Sequence, residues 1–190
     1  MVDRKEVRLA GAGNHGMIQA GLILQEAAAI YEDLNAHHVQ SYGPEARGNA
    51  ARSEVIISGG DIDYPKATQI DMFLATTQEA VERYSHDLKP DAVVIVDEDG
   101  VSRMPPGVKA HSLPLLSTAE RDLGRPTLLY IVALGALIEL SGVVPRGAIE
   151  AAVKDHVAKG SEELHMNALE AGYALARKTQ DVKDSSDNGT

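Results

Sequence analysis

The sequence contains no cysteine. That single absence excludes disulfides, thiol nucleophiles and cysteine-ligated iron–sulfur clusters. It permits a reducing compartment, and a cytoplasmic location is the expectation. Positive charge is also scarce: 18 Lys and Arg stand against 28 Asp and Glu, a formal net charge of -10. Nucleic acids and membrane surfaces are polyanionic, so a chain of this sign is no general binder of either, although one local basic pocket stays open. No long hydrophobic run is present. The longest, Leu128 to Leu140, falls short of the ~20 residues that cross a bilayer and carries Glu139; it reads as a buried core helix. Residues 1–10 are charged and then strand-like, without the pattern of a secretory signal. Metal-ligand spacing is missing too. His86, His111, His156 and His165 are scattered, and the adjacent His37 and His38 would point to opposite faces of a strand.

What is present fits one domain. The chain has 190 residues, 44% of them apolar, enough for a full core. Short apolar runs alternate with helical patterns. Strands are expected at Val7–Ala10, His38–Ser41, Ser53–Ser58, Met72–Thr76 and Ala92–Asp97. The last is a continuous apolar run of the kind buried on both faces of a parallel sheet. Helices are expected over Met17–Ile30 and through Glu79 and Val81. After Pro114 the pattern turns helical: Thr118–Leu123, Thr127–Ser141, Arg146–Val157 and Glu162–Arg177. The fold class is α/β, a wound, mostly parallel sheet with flanking helices and a helical C-terminal part. Residues 178–190 are polar and expected to form a disordered tail beyond a domain of residues 1–177.

Residues 11–16 read Gly-Ala-Gly-Asn-His-Gly, a G-x-G-x-x-G turn between the first strand and the first helix. In such turns the first glycine allows the tight turn, here Gly11. The second, Gly13, lets backbone approach a ligand, and the third, Gly16, lets helix and strand pack closely. The free N–H groups at the helix start then face an anion. The same turn also serves as a bare connection with no ligand. A dinucleotide site would add an acid at the end of the second strand to hold a ribose. That strand ends in Gln40-Ser41-Tyr42, and Glu45 lies beyond it, so the NAD reading loses half of its pattern. The loop that follows carries Arg47 and Arg52, suited either to a phosphorylated ligand or to pairing with the many acids. His15 is a candidate ligand contact. Tyr42 and Tyr64 are candidates for stacking on an adenine or for packing. Asp97-Glu98-Asp99-Gly100 reads as a strand-end turn with solvated acids.

The loop is Ser41-Tyr42-Gly43-Pro44-Glu45-Ala46-Arg47-Gly48-Asn49, followed by Val55-Ile56-Ile57-Ser58. With the glycine turn, it resembles the gamma subunit, or gamma domain, of 2-oxoacid:ferredoxin oxidoreductases. That family carries G-x-G-G-Q-G, then S-Y-G-P-E-x-R-G-G, then a strand with V-x-I-S. The likeness continues through Ile62-Asp63-Tyr64-Pro65, Thr77-Gln78-Glu79-Ala80, Ala133-Leu134-Gly135-Ala136-Leu137, Lys159-Gly160, Asn167 and Gly172-Tyr173. It covers roughly residues 5–177 and points to the 2-oxoglutarate type. The sequence departs from the pattern at Asn14-His15 and Asn49, which leaves open a divergent branch acting on an aryl 2-oxoacid such as phenylglyoxylate or indolepyruvate.

The resemblance implies a subunit that is inactive alone. In this family thiamine diphosphate attacks the keto carbon and CO2 leaves. Electrons depart through [4Fe–4S] clusters, and the acyl group passes to coenzyme A. Alpha, beta and ferredoxin-like delta subunits are the implied partners, with ferredoxin or another acceptor. No thiamine-type G-D-G is present here, so enclosure and binding remain for this chain. The implied cofactor-binding residues are Gly11, Gly13, Asn14, His15, Gly16, Tyr42, Arg47, Gly48 and Asn49, on the coenzyme A side. Two other readings stand beside it: a nucleotide- or coenzyme A-binding regulatory module, and a free-standing NAD(P) dehydrogenase.

Overall fold

The computed structural model describes residues 3–42 and 50–187. Six strands form one sheet: β1 (Lys5–Ala12), β2 (Asn35–Tyr42), β3 (Ala50–Ser58), β4 (Ile70–Ala75), β5 (Leu88–Asp97) and β6 (His111–Leu113), in the order β2-β3-β1-β4-β5-β6. β1, β4, β5 and β6 run parallel. β3 runs antiparallel to both β1 and β2. The wound, mostly parallel sheet is therefore present, with one reversed strand inserted beside β1. The short β6 carries too few apolar residues to be read from sequence and exists because β5 pairs with it.

The central strands are apolar on both faces, as two-sided burial requires. On one face Val7, Leu9, Val55, Met72, Leu74 and Ile95 pack against the helical layer. That layer comprises α1 (Met17–Glu26), extended by a π-helical stretch at Ala27–Tyr31, α4 (Leu129–Ser141), α5 (Arg146–His156) and α6 (Glu162–Asp187). On the other face Ala10, Phe73, Ala75, Val94 and Val96 pack against α2 (Gln78–Tyr84). A short helical turn, α3 (Leu115–Ser117), follows β6. Helix α6 continues past Arg177 to Asp187.

Helix α4 is apolar on nearly every side, and Leu129 through Ile138 are buried apart from Tyr130. It lies directly against α6. A Cβ placed on Gly172 would sit 2.1 Å from the Val132 carbonyl oxygen, and one on Gly135 would sit 2.2 Å from that of Leu169. Backbone meets backbone here, so nothing flexible can yield.

Opposite the helical layer, Arg8 is 3% exposed and fully engaged. Its guanidinium donates to Glu54 Oε1 (Nε, 2.8 Å), to Asp87 Oδ2 (2.8 Å) and to the Tyr84 carbonyl oxygen (2.8 Å). These bonds tie β1, β3 and the end of α2 together. Removing one partner of such a buried pair typically costs about 3–5 kcal/mol. Burial alone would raise the Asp71 and Asp87 carboxyls. Hydrogen bonds from Lys89 Nζ and the Glu6 N–H to Asp71, and from Arg8 to Asp87, outweigh it and hold both below the ordinary range.

Two outcomes follow. Gly172→Ala forces α4 and α6 apart and is expected to destabilise the chain by about 1–3 kcal/mol, read from the urea midpoint. The depressed acids stabilise the fold above their unfolded value of 3.8, and that contribution is lost as pH falls through their lower folded values. Urea midpoints taken down to about pH 2 should fall most steeply below pH ~4. Lys89→Met, which removes one source of the Asp71 depression, should flatten that fall.

Candidate functional site

Helices leave the carboxyl ends of β1 and β4 toward opposite faces of the sheet: α1 joins the helical layer and α2 the other side. In an open α/β sheet this divergence opens the crevice where ligands bind. The 11–16 turn forms one wall of it. β1 extends through Gly11 to Ala12, a 3-10 turn spans Gly13–His15, and Gly16 takes the left-handed conformation (φ 73°) before α1 begins. Gly13 and Asn14 are exposed, and His15 and Gly16 are half-buried. No side chain caps α1, so the first N–H groups of the helix have no side-chain acceptor within the chain.

Two of the glycines do work other than that expected. Gly11 lies within the strand and makes no turn. A Cβ there would meet the Thr76 hydroxyl at 1.9 Å, so its role is to admit that side chain. At Gly16, besides the left-handed backbone, a Cβ would come within 2.9 Å of the Tyr130 ring. The close packing expected of the third glycine is thus to α4 and not to the strand.

The other wall is built at the ends of β4 and β5. The Thr76 N–H donates to the Ala10 carbonyl oxygen (3.0 Å), and the Thr76 hydroxyl lies 2.8 Å from His15 Nδ1. Burial lowers the pKa of His15, while the charge of Asp97 pulls it upward; the net shift is downward, so the imidazole is neutral at pH 7. Asp97 is fully buried. Its Oδ2 accepts from the Gly100 N–H (3.0 Å) and its Oδ1 from the Leu116 N–H (2.8 Å), which ties the strand-end turn to the start of α3. Burial raises its pKa against those two bonds. The turn expected at 97–100 is present, but its first acid is a buried brace and not a solvated group.

The antiparallel ladder places the second motif. Ala12 pairs with Ala50 and Tyr42 with Ala51, so β2 ends and β3 begins beside the end of β1. Arg47, Gly48 and Asn49 lie outside the described residues, and Tyr42 is described by its backbone alone, as the end of β2. Arg52, expected in the loop, belongs to β3. It stacks on the Tyr84 ring (5.2 Å to the centroid) and reaches Glu54 at 3.7 Å, so it is spent on structure. Tyr64 is 54% exposed on the β3–β4 connection. His38 turns toward α1 and bonds the Ser53 hydroxyl (2.7 Å); no group of three or more metal-binding side chains occurs among the described residues. None of their helices is long and apolar enough to cross a membrane.

Thr76 and Asp97 shape the crevice without being singled out by the sequence. Their only local signals were positional: Thr76 follows β4 directly, and Asp97 ends the most apolar strand. The missing ribose acid also has a topological cause. β3 separates β2 from β1, so an acid at the end of β2 is displaced from where a nucleotide fold would need it.

The profile of the family described as pyruvate ferredoxin/flavodoxin oxidoreductase matches residues 6–175. The 2-oxoglutarate synthase subunit KorC of Methanocaldococcus jannaschii is 43% identical over 178 residues, covering 92% of this chain and 95% of that one. The crystal structure of a keto/oxoacid ferredoxin oxidoreductase gamma subunit from Geobacter sulfurreducens superposes with a TM-score of 0.83 at 44% identity, covering 92% and 99%. A 2-oxoglutarate:ferredoxin oxidoreductase from Magnetococcus marinus, solved with 2-oxoglutarate, coenzyme A and succinyl-CoA bound, superposes with a TM-score of 0.81 at 25% identity. This chain corresponds to 32% of that longer one, with 94% of its own length covered. The chain belongs to the pyruvate ferredoxin/flavodoxin oxidoreductase family, as a gamma-type subunit of a 2-oxoacid:ferredoxin oxidoreductase.

Gly16→Ala combines a left-handed residue with a clash on Tyr130. It should cost at least about 1–2 kcal/mol, seen as a lower thermal midpoint. Gly147→Ala, a helical glycine with open space around it, serves as the control.

Proposed function

We propose that this chain forms the coenzyme A side of an active site shared with partner subunits, in an enzyme that oxidatively decarboxylates a 2-oxoacid to an acyl-CoA. One observation carries the reading. The uncapped start of α1, at a crevice between diverging helices, lies beside the two anchors of the 43–49 segment. Free N–H groups at a helix start suit a phosphate or carboxylate. Arg47 leads, with Gly48, Asn49 and Tyr42, as the loop's contribution, and Gly11, Gly13, Asn14, His15 and Gly16 as the turn's.

The reaction consumes the 2-oxoacid and the thiol of coenzyme A. It releases CO2, a proton and two electrons, and leaves a thioester. Thiamine diphosphate and [4Fe–4S] clusters, when bound by alpha, beta and ferredoxin-like delta subunits, supply the decarboxylation and the electron path to ferredoxin or another acceptor. Without cysteine, this chain does not fit cysteine-ligated clusters. Its own residues bind, orient and enclose. The name of the Methanocaldococcus relative and the ligands of the Magnetococcus enzyme support 2-oxoglutarate as the oxoacid over an aryl 2-oxoacid. The chain's net charge of -10 suits an enzyme that binds neither nucleic acid nor an anionic membrane surface.

In the reconstituted enzyme, Arg47→Ala should raise the KM for coenzyme A by about tenfold or more, the worth of a charge-assisted contact. The KM for 2-oxoglutarate and the subunit stoichiometry should stay unchanged. An unchanged coenzyme A KM with intact assembly would remove Arg47 from the site.

A further inference from the structure

Three features make His15 unlike an ordinary loop histidine. Its Nδ1 is taken by the Thr76 hydroxyl at 2.8 Å. That hydroxyl reaches His15 only because Gly11 has no Cβ; one there would lie 1.9 Å from it. The same hydroxyl also lies 3.5 Å from the Ala10 carbonyl oxygen, which can accept its proton. With the Thr76 hydroxyl donating to that carbonyl, His15 Nδ1–H donates to Oγ1; this Nδ1–H tautomer is part of the proposal and is what the nitrogen NMR below tests. In that tautomer Nε2 is an acceptor on a half-buried ring, with no hydrogen bond among the described residues, two positions before α1 begins.

We propose that His15 makes anion binding at the glycine turn proton-linked, and that Thr76 is the positioning residue that holds its ring for this. The inference rests on the coenzyme A-side reading above and deepens it. An arriving phosphate meets a lone pair at Nε2 and repels it. Uptake of one proton at Nε2 turns that acceptor into a charged donor without moving the ring, because the Nδ1–H bond to Thr76 serves both states. The groups facing the ring sort clearly. Asp97, on β5, is the acid whose charge favours the imidazolium. Tyr130, on α4, stands against Gly16 and stays neutral, its pKa raised by burial. Burial holds the free ring neutral at pH 7, so the proton is taken up with the ligand. Binding therefore weakens as pH rises through the pKa of the liganded imidazole. The family pattern has Gln where this chain has His15, and a Gln amide donates without a proton.

The test is the KM for coenzyme A of the reconstituted enzyme between about pH 6 and pH 9, a window that brackets histidine titration. Each variant is compared with the parent so that titration of coenzyme A itself cancels. The parent KM should rise with pH by about tenfold more than that of His15→Gln, whose profile should be flat by comparison. Thr76→Val, which keeps the shape and loses the hydroxyl, should follow His15→Gln, and Thr76→Ser should restore the parent profile. Imidazole nitrogen NMR of the full chain should show the Nδ1–H tautomer in the parent and its loss in Thr76→Val. A His15→Gln profile that parallels the parent overturns the proposal. If Arg47→Ala raises the KM while these variants do not alter its pH dependence, the site reading stands and the proton link falls. If neither responds, both fall.

Discussion

The arrangement of this subunit depends on the antiparallel ladder between β1 and β3. It runs the full length of β1, from Lys5 against Ile57 to Ala12 against Ala50. By filling the place beside β1 with a reversed strand, it pushes β2 to the sheet edge. A crossover fold that would have built a dinucleotide pocket becomes one that sets the end of β2 and the start of β3 next to the glycine turn. The ladder is cemented by Arg8 and Glu54, partners in register and both buried. A buried guanidinium demands nearly all of its hydrogen bonds, and Glu54, Asp87 and the Tyr84 carbonyl oxygen meet that demand. The ion cluster therefore specifies which strands meet at least as much as it stabilises them.

At the other end of β1 the polar groups are arranged differently. Thr76 and Asp97 are buried, but each is bonded mainly to backbone and to loop ends. Their effect is to fix the outline of the crevice. Thr76 holds the β1 turn through Ala10 and His15, and Asp97 holds the Gly100 turn and the start of α3. Gly13 and Asn14, on the rim, stay exposed. Such a division, rigid floor and unassigned rim, suits a subunit whose site is completed by other polypeptides.

Much of this is legible in the sequence itself. The strand Ala92–Asp97 announced itself by an uninterrupted apolar run, and α4 by apolarity on all sides. The glycine turn and the Ser41–Asn49 motif carried the family. The errors have common physics. Arg52 looked like a loop cation because β3 begins earlier than its apolar core suggests, at Ala50. Gly11 looked like a turn residue, yet its lack of a Cβ answers a side chain far away in sequence, Thr76. Asp97 looked solvated because nothing local shows that β6 and α3 fold over it. β6 itself was invisible, being only His111–Leu113 and stabilised by its neighbour.

The sequence alone determined composition-level facts and local pattern. It ruled out cysteine chemistry and showed the period of the longer strands and helices, because those depend on residues adjacent along the chain. It also carried the family, because the SYGPEARGN motif is long enough to be specific. The tertiary structure decided everything that depends on which segments meet. It placed the reversed strand beside β1, set Thr76 against His15 and buried Asp97. The reason is physical: hydrogen-bond partners and excluded volume are properties of neighbours in space, and a threonine 65 positions beyond a glycine leaves no trace in either one's local sequence.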